Sequence, residues 1–375
     1  ANDEHTPEPT PAPIVLSINQ SGIVILDGYI GLATVFIDRN DNQILDNNEP
    51  STLTDNSGRY LLEILDTDTQ YPTLACLDKS LQDLDSNSLI NNITPFCLFA
   101  PADVNTMQQN ITPLTTLVHN KIKRDGISLA QAKQAVKSDL AVLGLDSDFD
   151  ISADYIKTAA TAAAASDVQA QQKIAKLSLV ARLAAKVIQE ITAAVNNILE
   201  ANISLSPQEQ EELKDSLFLY AGTALADSLS SIANKANSVS DPASVTAAAA
   251  DTLIDQVAAE TNTAYSINDI ESWEGEEITN IEDQIEQKDE LRTQTLDGFT
   301  EIAGQWWCYG TQADTGQYCL YNNQLYKQGE LNTGYHLYVD TLYNGAVENT
   351  GYHLYEGKKY QDTVVAAIQS MTFRS

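Results

Sequence analysis

The chain has 375 residues, too many for one ordinary hydrophobic core, and its length implies about two or three domains. Its 52 acidic against 21 basic residues leave a net charge of −31, which excludes nucleic acid and anionic membrane surfaces as partners, because both need clustered Lys and Arg. No run of about 18 apolar residues occurs, so no membrane span is expected.

Residues 1–13 form a polar tail spaced by Pro7, Pro9, Pro11 and Pro13, a spacer of polyproline character. A start of this kind is expected of a mature secreted chain after leader removal, which suggests a secreted or cell-surface location. Residues 14–104 carry strand patterns at 14–18, 22–26, 33–37 and 60–64. Between the last two lies Asp38-Arg-Asn40-Asp-Asn42-Gln-Ile44-Leu-Asp46-Asn-Asn-Glu49. Oxygen side chains fall at positions 1, 3, 5, 9 and 12 of a twelve-residue loop, the spacing with which a loop wraps Ca²⁺. Ile44, at position 7, offers its backbone carbonyl. The alternative is a solvated Asn/Asp-rich turn without metal. A helix–loop–helix site fits poorly, because the flanks alternate as strands.

The order Asp27-Gly-Tyr-Ile, Ala33-Thr-Val-Phe-Ile-Asp38, acidic loop, Glu49-Pro, Thr54-Asp-Asn-Ser-Gly-Arg-Tyr60 resembles the calcium-binding B-type repeats and carboxypeptidase-regulatory-like β-sandwiches of bacterial surface proteins. The resemblance covers residues 23–64. It implies that Asp38, Asn40, Asn42, Asp46 and Glu49 ligate Ca²⁺, with Asp55 a further candidate. The chain departs from that pattern at position 6, where Gln43 replaces the usual Gly; a non-Gly residue at positive φ there costs about 1 kcal/mol.

Residues 105–265 read as an Ala-rich helical bundle. Its entry, Asn110-Ile-Thr-Pro-Leu-Thr-Thr-Leu-Val118, is similar to a module that follows such β-domains in secreted bacterial proteins. Ser128-Leu-Ala-Gln131 and Ser206-Pro-Gln-Glu209 are capping boxes, the first opening a helix that ends at Gly144, and Asp241-Pro242 opens a further helix. Ile174, Leu177, Ala181, Ala184, Ile188, Ile191, Val195 and Ile198 form a stripe at heptad-like spacing, which indicates antiparallel packing or a partner-binding face. Asp146-Ser-Asp148-Phe-Asp150 mimics the start of a second calcium loop, but position 12 would fall on Lys157, so it reads as an inter-helix turn with an N-cap. Residues 266–295 form an acidic helical connector with Ile278, Ile281 and Ile285 on one face.

Residues 296–375 hold ten of the sixteen tyrosines. Asn332-Thr-Gly-Tyr-His-Leu-Tyr338 recurs as Asn349-Thr-Gly-Tyr-His-Leu-Tyr355, with Thr315-Gly-Gln-Tyr-Cys-Leu-Tyr321 a degenerate copy, and each unit reads as a hairpin. This resembles the tyrosine- and glycine-rich repeats at the ends of bacterial surface proteins, some of which bind glycans. Tyr335, Tyr338, Tyr352 and Tyr355, with Trp306 and Trp307, are either cross-packed rings or a glycan or partner surface. The cysteines form two near pairs, Cys76 with Cys97 and Cys308 with Cys319, read as local disulfides or as buried thiols. Zinc is disfavoured by the absence of C-x-x-C spacing.

Motifs for hydrolysis, phosphate cradling, dinucleotide binding and haem attachment are absent, so no enzyme is expected. The expected protein is a multidomain α+β chain, with an N-terminal β-sandwich, a central Ala-rich helical bundle and C-terminal β-hairpin repeats. Its expected role is structural or adhesive, stabilised by calcium, associating with itself or another surface protein and assembling by strand addition. The competing function is a carbohydrate-binding module acting through the tyrosine repeats.

Overall fold

A computed structural model describes residues 15–78, 95–259 and 266–288 with their side chains, apart from residue 267, and the backbone alone of the remaining helix and strand segments. The Pro-rich residues 1–13 lie outside the described residues. Both sheets and helices are present, so the chain is α+β.

Eight strands come first: β1 Ser17–Ile23, β2 Ile30–Gly31, β3 Thr34–Ile37, β4 Ser51–Leu53, β5 Arg59–Leu65, β6 Thr73–Leu77, β7 Gln82–Asp83 and β8 Phe96–Ala100. They pair antiparallel as β4-β3-β6-β8, β1-β5 and β2-β7. The period of two is plain in β5: Tyr60, Leu62 and Ile64 are buried, while Arg59, Leu61, Glu63 and Leu65 are exposed. In β3, Val35 and Ile37 join the main core, and Phe36 faces the other way with Leu74 and Phe99. The four-stranded sheet therefore has apolar residues on both faces.

The expected separate strands at 14–18 and 22–26 are instead one strand, β1, followed by isolated bridges at Val24 and Ile25. Asn19-Gln-Ser-Gly22 reads as a turn in isolation. In the fold Gly22 has a different purpose, because a Cβ there would sit 2.0 Å from the Gln109 carbonyl oxygen. The segment around Gln109 runs along β1, with Ser21 N–H donating to Met107 O and Gln109 N–H to Ser21 O, both at 2.8 Å. The close approach needs glycine.

Eight helices follow: α1 Pro113–Asp125, α2 Leu129–Asp139, α3 Tyr155–Ala164, α4 Val168–Ala201, α5 Pro207–Ser238, α6 Ala247–Glu260, α7 Ile267–Ser272 and α8 Ile278–Asp297. Thr112, Ser128 and Ser206 cap α1, α2 and α5 with reciprocal capping boxes, Pro standing at N1 of α1 and α5. Gly144 takes a left-handed conformation, φ 65°, after the short 3-10 turn that follows α2. Asp241-Pro242 does not open α6. Pro242 lies in a 3-10 turn, and α6 begins after Thr246, whose hydroxyl accepts the Ala249 N–H. The whole predicted stripe of α4 from Ile174 to Ile198 is buried. It packs against α5, which returns after a five-residue link, an antiparallel pair that forms the spine of the helical layer.

α7 and α8 dock on this spine. Ile281 is fully buried, and Ile278 and Ile285 pack against the core. Trp273, 1 % exposed, meets Tyr220 of α5 edge-on at 4.8 Å, and its indole N–H donates to Gln284 at 2.8 Å. One contiguous buried cluster extends from Val24 to Ile281, so strands and helices share a core.

The last strands are β9 Phe299–Ile302, β10 Trp306–Tyr309, β11 Tyr318–Tyr321, β12 Gln324–Lys327, β13 Tyr335–Tyr338, β14 Thr341–Asn344, β15 Tyr352–Tyr355, β16 Lys358–Gln361 and β17 Thr363–Ala367. Each Tyr-x-Leu-Tyr strand pairs with the next one in the same register: Tyr321↔Gln324, Tyr338↔Thr341 and Tyr355↔Lys358 close hairpins around two residues each.

Candidate metal centre

β3 and β4 pair as Thr34↔Leu53, Val35↔Thr52 and Phe36↔Ser51, so the acidic loop is the connection of a β-hairpin. Its turn is built by its own first residue. The Asp38 carboxylate accepts the backbone N–H groups of Asn42 at 3.2 Å and Gln43 at 2.9 Å. The Asn42 side-chain oxygen then accepts the Ile44 N–H at 2.8 Å, an Asx turn. Asp41 and Gln43 both adopt φ 61°. Gln43 thus takes the left-handed conformation for which loops of this spacing place Gly, and the Asp38 carboxylate holds it there.

Positions 3, 5 and 9 converge. The side-chain amides of Asn40 and Asn42 donate to one oxygen of Asp46, at 2.8 and 3.0 Å. Glu49, at position 12, clamps both arms: its two oxygens accept the N–H of Arg39 at 2.7 Å and of Asp46 at 3.0 Å. The Ile44 side chain is 55 % exposed, which leaves its backbone as its contribution to the loop. Asp55 serves its own turn, accepting the N–H groups of Ser57 at 2.7 Å and Arg59 at 3.0 Å, and the bond from Arg59 leads in holding its carboxyl below the usual range.

Asp38 is 1 % exposed. Burial pushes its carboxyl above the usual range and the charges of Glu49 and Asp41 add to that, while the two backbone N–H groups oppose it. Arg39 is no counter-ion for the loop interior. Its guanidinium grips Asp68 with two bonds, at 2.7 and 2.8 Å, and its remaining nitrogen donates to the Asn48 carbonyl at the far end of the loop, so it makes no bond to the Asp38 carboxylate.

Two lysines from the helices reach the loop. Lys214 of α5 donates to the Asn42 carbonyl at 2.5 Å, and Lys123 of α1 pairs with the Asp41 carboxylate. The sequence reading missed both, as well as Asp68, because sequence spacing carries no mark of contacts this distant in the chain. Beneath the loop, Cys76 and Cys97 are register partners on β6 and β8 and form a disulfide, with Cys97 Sγ 3.8 Å from the Gln43 carbonyl oxygen.

The donor set is carboxylate, amide and backbone carbonyl oxygen, the chemistry of a hard cation such as Ca²⁺. Among the described residues, no three His, Cys, Asp or Glu side chains gather into a metal-binding cluster. The loop's oxygens rest on its own N–H groups, and a half-turn of the Asn40 amide would replace its nitrogen with its oxygen. A buried carboxylate beside two like charges fits a cation, because a positive ion relieves the penalty of its ionisation.

Of the other candidate residues, Cys308 and Cys319 are register partners on β10 and β11. Trp306 and Trp307 lie on β10, Tyr335 and Tyr338 on β13, and Tyr352 and Tyr355 on β15. All these side chains lie outside the described residues. No protein-family model matches the chain, and no curated protein or solved structure matches it either.

Proposed function

We propose that this chain is a secreted or cell-surface structural or adhesive protein whose N-terminal β-sandwich is stapled by Ca²⁺ in the 38–49 loop. The Ala-rich helices and the C-terminal hairpins extend that unit. The observation that supports the reading is Asp38, a buried carboxylate at the first position of an all-oxygen loop, beside Glu49 and Asp41 and bonded among the described residues to backbone N–H groups and to no cationic side chain. The Cys76–Cys97 disulfide supports an oxidising location. Helices long and apolar enough to cross a membrane are absent among the described residues. Association with a second copy or another surface protein is supported by the outward face of β5, where Leu61 and Leu65 are 63 % and 40 % exposed. Ser17 and Ile18 already pair with Leu65 and Ile64 of the same chain, so a donated strand would have to come from residues before 17.

The test is a melting curve across a calcium titration, with sedimentation velocity on the same samples. A cation that binds only the folded state adds about 2.7 kcal/mol at a hundred times its Kd, so Tm should rise with calcium and fall back with chelator. A Tm indifferent to both removes the staple. A monodisperse monomer at every calcium concentration removes the self-association.

A further inference from the structure

The back of the acidic loop is one wall of a second feature. A cavity of about 360 Å³ lies between the loop, the outer face of β8 and helices α1, α4 and α5. Phe99, Ile188, Ile191 and Leu225 line it, each no more than 9 % exposed. An apolar cavity of roughly 150 Å³ holds one benzene, so this space admits a molecule of about two rings.

Polar residues share the lining, among them Thr116, His119, Asn120 and Thr192. His119 of α1 is 9 % exposed and stacks on Phe99, ring centroids 4.4 Å apart at 12°. Burial, with Lys123 adding, lowers its pKa to about 4, so the ring is neutral at physiological pH and offers one N–H donor and one bare nitrogen. Neither nitrogen has a hydrogen-bond partner among the described residues, and neither has the neighbouring Asn120 amide. A neutral ring nitrogen without a protein partner, on the wall of a cavity that also has apolar lining, is free to bond a guest. At the rim stand Asp41, Asp215 and Lys123, and Lys123 is already paired with Asp41. That rim disfavours anions.

We propose that the cavity is a binding site for a neutral aromatic molecule of one or two rings bearing a single hydroxyl or ring N–H, which bonds to His119. The site does not depend on calcium occupying the loop. Isothermal titration of the full chain with 2-naphthol, and with naphthalene as the apolar control, tests it. The wild type should bind 2-naphthol saturably and roughly tenfold more tightly than naphthalene, the worth of one buried hydrogen bond. His119→Phe keeps the stack on Phe99 but loses both nitrogens. It should bring 2-naphthol down to the naphthalene level and leave naphthalene within about threefold. Leu219, 50 % exposed at the rim, provides a second variant that does not threaten folding, and Leu219→Trp should weaken both probes by roughly tenfold. No saturable binding by the wild type, or 2-naphthol affinity unchanged in both variants, would overturn the assignment.

Discussion

Two stretches of this chain read alike: Asp38-Arg39-Asn40-Asp41-Asn42, and Asp146-Ser147-Asp148-Phe149-Asp150. The fold puts their oxygens to different uses. Asp38 is buried and its carboxylate folds the loop back on itself, while Asn40, Asn42 and Asp46 close in on one another. Asp146 is 76 % exposed, and its carboxylate pairs directly with Lys173 at the surface, at 3.0 Å. Lys137 donates to the Ser147 carbonyl at 2.6 Å, and Asp150 accepts the Ser152 N–H at 2.9 Å, an ordinary turn before the Asp154 N-cap of α3. Alternating side chains are common to both. What separates them is the flanking structure: a hairpin brings positions 1 and 12 together, whereas a link between helices lets the second arm leave as α3.

The comparison can be broken or sharpened by substitution. The largest effect is expected beneath the first loop. Replacing Cys97 by Ser opens a disulfide whose ends are 21 residues apart and should lower unfolding stability by about 3 kcal/mol in denaturant titration, with a weaker calcium response because Gln43 rests on that sulfur. Asp38→Ala leaves two backbone N–H groups without their acceptor. The expected loss is about 2 kcal/mol, together with the whole calcium-dependent rise in Tm. Gln43→Gly acts in the opposite direction. Relief of the positive φ should add about 1 kcal/mol and tighten calcium binding, read by the same titration. Asp146→Ala removes only an exposed ion pair and should change stability by about 0.5 kcal/mol or less, with the calcium response intact. If Asp146→Ala matched Asp38→Ala, the distinction between the loops would fail.

Much of the helical layer was legible because its signals are local. Capping boxes at Ser128 and Ser206 and the α4 stripe depend on residues within a turn or two of one another, and each is found in place; the helix from Ser128 stops earlier than expected, at Asp139, and Gly144 instead ends the 3-10 turn that follows it. The β-layer was harder. Asn19-Gln-Ser-Gly22 has the composition of a turn, and only the Gln109 backbone lying against Gly22 explains why β1 continues through it. Pro242 looked like the first residue of a helix because Asp-Pro is a good start signal; the chain uses it for a 3-10 turn and starts α6 after Thr246 instead. Trp273 carried no pattern at all, yet it fixes α7 and α8 to α5 through Tyr220 and Gln284. In the candidate metal centre the oxygen positions followed from spacing, whereas Arg39 turning to Asp68 and the lysines arriving from α1 and α5 did not.

Order along the chain was therefore enough to determine which residues carry oxygen into the loop, where the capped helices α1, α2 and α5 begin, and which cysteines stand near one another. These depend on spacing over a few residues, where backbone geometry alone decides who meets whom. Tertiary structure decided what surrounds those groups. It buried Asp38 and left Asp146 in water, set His119 unpartnered against Phe99, and made strands and helices share one core. Burial and charge environment are sums over distant segments, so two similar acidic runs acquire different chemistry only once the chain has closed around one of them.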